Sequence, residues 1–139
     1  MSKQLKMDQY YLRSAFNAGS MSKDEYWQVG AVIVKDNVII ADGWNGTPFG
    51  FYTNDTRTED GETLDCVVHA EQNALAKCAR QGLSCDGGTM YINVGPCPHC
   101  ATLIKQAGIK RVVYAIPYRL ASGVALLEDL GIEVERISL

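Results

Sequence analysis

The sequence predicts a three-layer α/β/α fold around a mixed five-stranded sheet whose last strands are parallel. Short apolar runs rich in β-branched residues recur along the chain. From residue 88 onward these runs alternate with helical patterns in the order β-α-β-α-β. Strands that are joined through a helix pair in parallel, and helices then cover the faces of the sheet. We expect a single domain over residues 1–139.

The first elements are a helix and an antiparallel hairpin. Apolar residues recur at helical spacing over residues 5–18, and Gly19 can end this helix. The stretch "VGAVIVKDNVIIADGWN" contains two β-branched runs around Lys35-Asp36-Asn37, which predicts a hairpin. Residues 46–65 are polar and rich in Gly, Thr and Asp. A loop of this length in a small domain is usually functional or mobile.

The remaining elements alternate between helix and strand. The stretch "HAEQNALAKCARQG" (69–82) predicts a helix ended by Gly82, "TMYINV" a strand, and "CATLIKQAG" a helix closed by Gly108. "KRVVYAI" then predicts a strand, "LASGVALLEDLG" a helix, and "IEVERIS" the last strand. The two helical crossovers place the last three strands in parallel.

Composition limits the classes of function. The 139 residues include 13 basic and 16 acidic ones, a net charge of −3, so there is no broad basic surface for nucleic-acid phosphates. No apolar run approaches the ~20 residues of a membrane span, and the amino terminus lacks the apolar stretch of a secretory signal. We expect a cytoplasmic protein without nucleic-acid or membrane partners. A small anionic ligand, which needs only a few cations, is compatible with this composition.

Five cysteines without a secretion signal indicate reduced thiols rather than a disulfide framework. Cys78 falls within the apolar pattern of a helix, so we expect it in the core. Cys66 and Cys85 flank that helix and allow no assignment.

The stretch "GPCPHC" places Cys97 and Cys100 where a predicted strand leads into a helix. This Cys-x-x-Cys spacing suits a redox disulfide, half of a structural zinc site, or two ligands of a catalytic metal. The start of a helix lowers thiol pKa values and favours the thiolates that metals need. A structural zinc site needs four ligands, and no second Cys-x-x-Cys or His pair supplies them. A redox pair also occurs at such junctions, so position alone leaves it open.

A third ligand is available in "HAE" (69–71), which opens another helix after the apolar run "CVV". We expect neighbouring strands to bring both helix starts to one edge of the sheet. His69 and the two thiolates would then form a three-ligand zinc site with an open fourth position. Glu71 would lie beside it, where a carboxylate can take a proton from water and pass it on. His99 cannot share the metal with both neighbouring cysteines, and we interpret it as a surface or substrate-side residue.

His-x-Glu followed by Pro-Cys-x-x-Cys resembles the signature of the zinc-dependent nucleobase deaminases. Over nearly its whole length the chain further resembles the deoxycytidylate (dCMP) deaminases. The stretches that carry this resemblance are "SKDEYWQVGAVIVKDNVII" (22–40), "GWNGTPFG" (43–50), "GETLDCVVHAEQNAL" (61–75) and "GPCPHCATLIKQAGIKRVVY" (95–114). "SKD" followed by "QVGA", and "NG-x-P-x-G", are typical of that family and not of tRNA deaminases. In free-cytidine deaminases the last two strands are antiparallel, whereas the helical crossover in this sequence predicts parallel strands.

The resemblance implies hydrolytic deamination of dCMP to dUMP and ammonia, with His69, Cys97 and Cys100 holding zinc and Glu71 shuttling protons. It also implies a set of substrate-binding residues: Ser22, Lys23, Asn45, Ala70, Tyr118 and Arg119. The amide of Asn45 would lie beside the deoxyribose, although a turn role before Gly46 is an equal alternative.

The resemblance also suggests how the rest of the substrate is held. Tyr118 would pack against the base, while Arg119, Ser22 and Lys23 are candidates for the 5′-phosphate. Many relatives have an arginine directly before "SKD", where this chain has Met21.

Members of this family are commonly hexamers, activated by dCTP and inhibited by dTTP, with Mg²⁺, at a site between subunits. That site includes a "G-aromatic-NG" stretch, matched here by Gly43, Trp44, Asn45 and Gly46. Some members carry a second, structural zinc on extra Cys and His residues in the following loop. Here that loop reads "FYTNDTRTEDGET", so we expect one zinc per chain.

Such an enzyme would supply dUMP for thymidylate synthesis in the cytoplasm, or in the host cytoplasm if a phage encodes it. Two alternatives remain. A tRNA or other nucleic-acid base deaminase conflicts with the missing basic surface and with the "SKD" and "NGTP" motifs. An inactive zinc-containing nucleotide-sensing subunit would have no need of Glu71.

Overall fold

A computed structural model describes residues 1–139 and contains four helices and five strands. In chain order these are α1 (Lys3–Gly19), β1 (Gly30–Lys35), β2 (Val38–Trp44), α2 (Ala70–Gln81), β3 (Thr89–Val94), α3 (Pro98–Gln106), β4 (Arg111–Ile116), α4 (Ser122–Asp129) and β5 (Glu133–Arg136). The strands form one sheet in the order β2-β1-β3-β4-β5. β1 is antiparallel to both neighbours, and β3, β4 and β5 are parallel. The predicted mixed sheet with parallel last strands is therefore confirmed.

Helices cover both faces of this sheet. On one face α1 packs Leu12 against a cluster that includes Val113 of β4. On the other face, α2, α3 and α4 contribute Ala74, Ile104 and Leu127 to a second, larger cluster. Because neighbouring side chains of a strand point to opposite faces, the strands supply residues to both clusters. The result is the predicted α/β/α arrangement of three layers.

The helix α1 ends at Gly19, as the sequence predicts, but for a different reason. The backbone of Gly19 is not left-handed, so this glycine is not a conventional helix cap. A Cβ at this position would lie 2.8 Å from the carbonyl oxygen of Gln28 and 3.0 Å from the backbone nitrogen of Gly30. The glycine is needed because α1 touches the backbone that enters β1.

The predicted hairpin is confirmed, with a two-residue turn. Asp36 and Asn37 have φ values of 53° and 61°, and Lys35 pairs with Val38. Two consecutive left-handed residues form the type I′ turn, whose twist matches that of paired strands. Asn and Asp tolerate this conformation better than other non-glycine residues.

Two further glycines end helices as predicted, because each adopts the left-handed conformation that terminates a helix. Gly82 caps α2 with a φ of 67°, and Gly108 follows α3 with a φ of 88°. The predicted burial of Cys78 is also confirmed, since only 2% of this residue is exposed. None of the four helices combines the length and apolar character needed to cross a bilayer.

The long segment between β2 and α2 contains no helix and no strand of the sheet, in agreement with the predicted loop. The short apolar run "CVV" (66–68) lies at the end of this segment and is not a strand of the sheet. Only Val68 pairs, in an isolated bridge with Gly46 whose two hydrogen bonds measure 2.8 and 3.1 Å. The backbone N–H of Val67 instead donates to Leu64 in a turn, so the segment cannot extend the pairing.

Candidate active site

The site lies at the edge of the sheet where β2 and β3 both end. β1 lies between these strands and is antiparallel to each, so β2 and β3 run in the same direction. His69 precedes the first residue of α2 and Cys97 precedes the first residue of α3, both in extended backbone conformation. The bridge between Gly46 and Val68 ties the start of α2 to the end of β2. Both helix starts therefore meet at this edge.

Three predicted metal ligands come together here. The Nδ1 atom of His69 lies 3.6 Å from Sγ of Cys97 and 3.3 Å from Sγ of Cys100. The possible ligand atoms of the three residues all lie within 4.8 Å of one another. One imidazole and two thiolates are a donor set that suits zinc, with a fourth position left open. His99 is exposed and lies outside this cluster.

The local structure holds these groups in place. The backbone N–H of His69 donates to Oε1 of Gln72 at 2.8 Å, which fixes the first turn of α2. The pKa of the Cys97 thiol is lowered to about 3, because the thiol of Cys100 and the side chain of His69 form hydrogen bonds with it. The amino-terminal end of a helix also favours a thiolate. The site is thus arranged to present an anionic sulfur beside an imidazole.

Glu71 lies in the first turn of α2 and only 4% of this residue is exposed. Burial raises the pKa of its carboxyl group above the ordinary value, and the charge of His69 opposes this effect. The thiol of Cys100 has a smaller lowering effect on the same pKa. A carboxyl group in this environment can both accept and release a proton near the metal ligands.

A cleft opens above the cluster, lined by His69, Glu71 and Cys97. Three of the predicted substrate-binding residues, Asn45, Ala70 and Tyr118, also line it. Trp27 and Val29 line the cleft as well, and together with Asn45 they form what we call its wall.

The side-chain amide of Asn45 forms hydrogen bonds with the backbone of the other two wall residues. Its Nδ2 donates to the carbonyl oxygen of Trp27 at 2.8 Å, and its Oδ1 accepts from the backbone N–H of Val29 at 3.0 Å. Both ends of the amide are thus engaged with the segment that enters β1. Asn45 connects the end of β2 to that segment and faces the cleft at the same time.

The predicted phosphate-binding residues are dispersed. Ser22 is buried, and its hydroxyl donates to the carbonyl oxygen of Asn45 and accepts from the backbone N–H of Asp24. Lys23 is exposed and lines neither the cleft nor the depression beside it. Arg119 is exposed and lines that adjoining depression, which shares Tyr118 with the cleft.

Sequence reasoning missed two charged residues of the cleft, Asp24 and Arg57. The side chain of Asp24 is 1% exposed and forms an ion pair of 3.0 Å with Arg57. Burial alone would raise the pKa of Asp24, but backbone N–H groups, the guanidinium of Arg57 and the hydroxyl of Thr56 lower it to about 2. Asp24 belongs to the "SKD" motif, which could have drawn attention to it. Arg57 lies in the long loop, where no motif marks it.

Gly43, Trp44 and Gly46, which are predicted together with Asn45 for an effector site, lie at the end of β2 beside α2. A Cβ at Gly43 would lie 2.6 Å from the backbone nitrogen of Ala74, so this glycine permits β2 and α2 to touch. The carbonyl oxygen of Trp44 accepts from Nδ2 of Asn73 at 2.7 Å. Gly46 forms the bridge described above, and a Cβ there would meet nothing within 4 Å.

Comparison with known proteins agrees with this fold and site. The family described as the cytidine and deoxycytidylate deaminase zinc-binding region matches residues 5–116. The deoxycytidylate deaminase of Enterobacteria phage T2 is 32% identical, with 88% of each chain covered. That of Saccharomyces cerevisiae is 35% identical over 94% of this chain and 45% of its own. The crystal structure of the dCMP deaminase from cyanophage S-TIM5, in complex with dCMP and dUMP, is 43% identical with a TM-score of 0.93 and covers 99% of both chains.

The mixed sheet and the His/Cys/Cys cluster beside a buried glutamate define a hydrolytic deaminase. The chain belongs to the cytidine and deoxycytidylate deaminase family.

Proposed function

We propose that this protein deaminates dCMP, with water, to dUMP and ammonia. The observation that carries the proposal is the position of Glu71, which is buried against a three-ligand cluster and faces a cleft. The similarity to deoxycytidylate deaminases, one of them crystallised with dCMP and dUMP, supports the choice of substrate.

His69, Cys97 and Cys100 would hold the metal ion. A zinc ion bound there would supply Lewis acidity, which lowers the pKa of water towards neutrality. Glu71 takes the proton from the attacking water as the oxygen approaches C4 of the cytosine ring. The same carboxyl group then delivers that proton to N3 and assists protonation of the departing amino group. Its burial excludes bulk water, so the proton stays with the reacting atoms.

The remaining cleft residues would orient the substrate. We assign Tyr118 to packing against the base and Ala70, in the first turn of α2, to the floor beneath it. Asn45 would lie beside the deoxyribose; its engaged amide makes it a rigid part of the wall rather than a mobile hydrogen-bonding group.

Regulation and assembly form a further part of the proposal. We infer a hexamer whose Gly43–Gly46 stretch contributes to a site for dCTP or dTTP with Mg²⁺, and one zinc per chain. The role would be to supply dUMP for thymidylate synthesis. Support comes from the "GWNG" stretch and from the loop after it, which contains neither Cys nor His over residues 51–63.

A turnover assay tests the proposed function. The zinc-loaded protein is incubated with dCMP, deoxycytidine, dCTP and a tRNA hairpin, and release of ammonia is measured. A kcat/KM for dCMP far above those for deoxycytidine, dCTP and the hairpin supports the proposal. Turnover of the hairpin would favour a nucleic-acid deaminase, and no turnover of any substrate would favour a nucleotide-sensing subunit.

A further inference from the structure

Arg57 is the only lysine or arginine among the residues that line the catalytic cleft. It also lines the adjoining depression, where Arg119 lies. Three other residues, Trp27, Thr63 and Tyr118, are shared by the two cavities, so the depression continues the cleft outward. A path therefore leads from the metal cluster past Arg57 to Arg119.

The guanidinium of Arg57 is held in a fixed orientation. Its Nε and Nη2 donate to Oδ1 of Asp24 at 3.4 and 3.0 Å, and its Nη1 donates to the carbonyl oxygen of Gly61 at 2.9 Å. The ring of Tyr26 lies against it, with 4.6 Å between Cζ and the ring centroid. These contacts fix the side chain before any ligand arrives, so little conformational entropy is lost on binding.

This arrangement leaves part of the guanidinium free. An arginine has five N–H groups, and the contacts with Asp24 and Gly61 use three of them. The side chain is 18% exposed, so the remaining groups face a partly dry environment in which charge-assisted hydrogen bonds are strong. Asp24 neutralises the arginine when the cleft is empty, which avoids an unpaired buried charge.

We propose that Arg57 is the specificity-determining residue that recognises the 5′-phosphate, with Arg119 as a second cation in the adjoining depression. This inference rests on the proposed function, since it assumes that the base of a nucleotide lies at the metal cluster. A phosphate monoester offers a dianion and three acceptor oxygens, which match the free N–H groups of a fixed arginine. A nucleoside lacks the phosphate and therefore offers no anion that could pair with Arg57.

The decisive experiment compares dCMP with deoxycytidine. The variant R57Q should lower kcat/KM for dCMP by roughly 10- to 100-fold, mainly through KM, because charge-assisted hydrogen bonds are lost. Its turnover of deoxycytidine should stay at the wild-type level. R57K, which keeps the charge but not the planar fork, should show a smaller loss for dCMP. R13Q is the control, because Arg13 is exposed on α1 and lines neither cavity.

Loss of Arg57 leaves the buried Asp24 unpaired, so the double variant D24N/R57Q is measured beside it. If this variant also loses only dCMP turnover, the phosphate contact is supported. Equal losses for both substrates in R57Q and in the double variant, or an unchanged dCMP rate in R57Q, would overturn the proposal. Calorimetric titration of each zinc-loaded protein with dUMP and with deoxyuridine, which have no amino group to lose, measures the phosphate contact without turnover. A wild type that binds dUMP but does not deaminate dCMP would refute the proposed function alone.

Discussion

Nδ1 of His69 lies 3.3 Å from Sγ of Cys100, although 31 positions separate the two residues in the chain. The contact depends on two helix starts that meet at one edge of the sheet, after β2 and after β3. It brings an imidazole and a thiol close enough to share one metal ion.

Zinc content tests this cluster. The wild type should contain one zinc per chain, and C97S should lose most of it on dialysis against a chelator, because a hydroxyl is a poor replacement for a thiolate. C66S is the matched control, since Cys66 is half-buried but lies outside the cluster. Elemental analysis provides the measurement. Two zinc ions in the wild type, or full occupancy in C97S, would contradict the assignment.

A pair of glycine variants tests how the position of α2 depends on β2. In G43A the new Cβ would press against the backbone of Ala74, so the free energy of unfolding should fall by about 1–3 kcal/mol, and kcat with it. G46A is the control, because a Cβ at Gly46 meets nothing within 4 Å. Urea denaturation of both zinc-loaded variants, with kcat on dCMP, makes the comparison. Equal effects of the two substitutions would refute the packing role of Gly43.

The pH dependence of stability tests the buried carboxylate of Asp24. Its pKa is lowered to about 2, so the folded state favours the ionised form. The resulting stability is present above the unfolded pKa of about 3.9 and is lost as the pH falls towards about 2. The difference in unfolding free energy between wild type and D24N should therefore narrow by about 1 kcal/mol from pH 5 to pH 3.

Urea denaturation at several pH values measures this change. D42N is the control, because the ion pair of Asp42 with Lys77 is half-exposed and should contribute at most about 1 kcal/mol at any of these pH values. A gap between wild type and D24N that stayed constant down to pH 3 would be inconsistent with a lowered pKa.

Effector kinetics test the proposed regulation. Saturation curves for dCMP should be sigmoidal, shifted to lower concentrations by dCTP with Mg²⁺ and to higher ones by dTTP with Mg²⁺, because each effector binds one state of an oligomer more tightly. dATP with Mg²⁺ serves as the control nucleotide. Hyperbolic curves that neither effector changes would exclude this regulation, and sedimentation would show whether a hexamer forms.

Much of the fold follows from local patterns. Helical and strand periodicity, the turn at Asp36 and Asn37, and the glycines after α2 and α3 predict the order of the elements, because these signals act within a few residues. The grouping of His69 with the two cysteines also follows, since both helix starts lie at one sheet edge.

The wall of the cleft could not be predicted in this way. The loop between β2 and α2 has no periodicity, and its course depends on Asp24, which accepts hydrogen bonds from Thr56 and Arg57 more than 30 positions away. Such contacts depend on tertiary packing that no local pattern encodes. The bridge between Gly46 and Val68, which ties this loop to the start of α2, is likewise a tertiary contact.

The most direct test of the account is the rate of E71Q on dCMP, with zinc content measured in the same sample. The amide has nearly the same shape as the carboxyl group but cannot carry the proton. We expect E71Q to retain its zinc and to lose turnover by at least about 10²-fold. E62Q, at an exposed position outside the cleft, should match the wild type. A zinc-loaded E71Q protein with a near-normal rate would contradict the proposed role of Glu71.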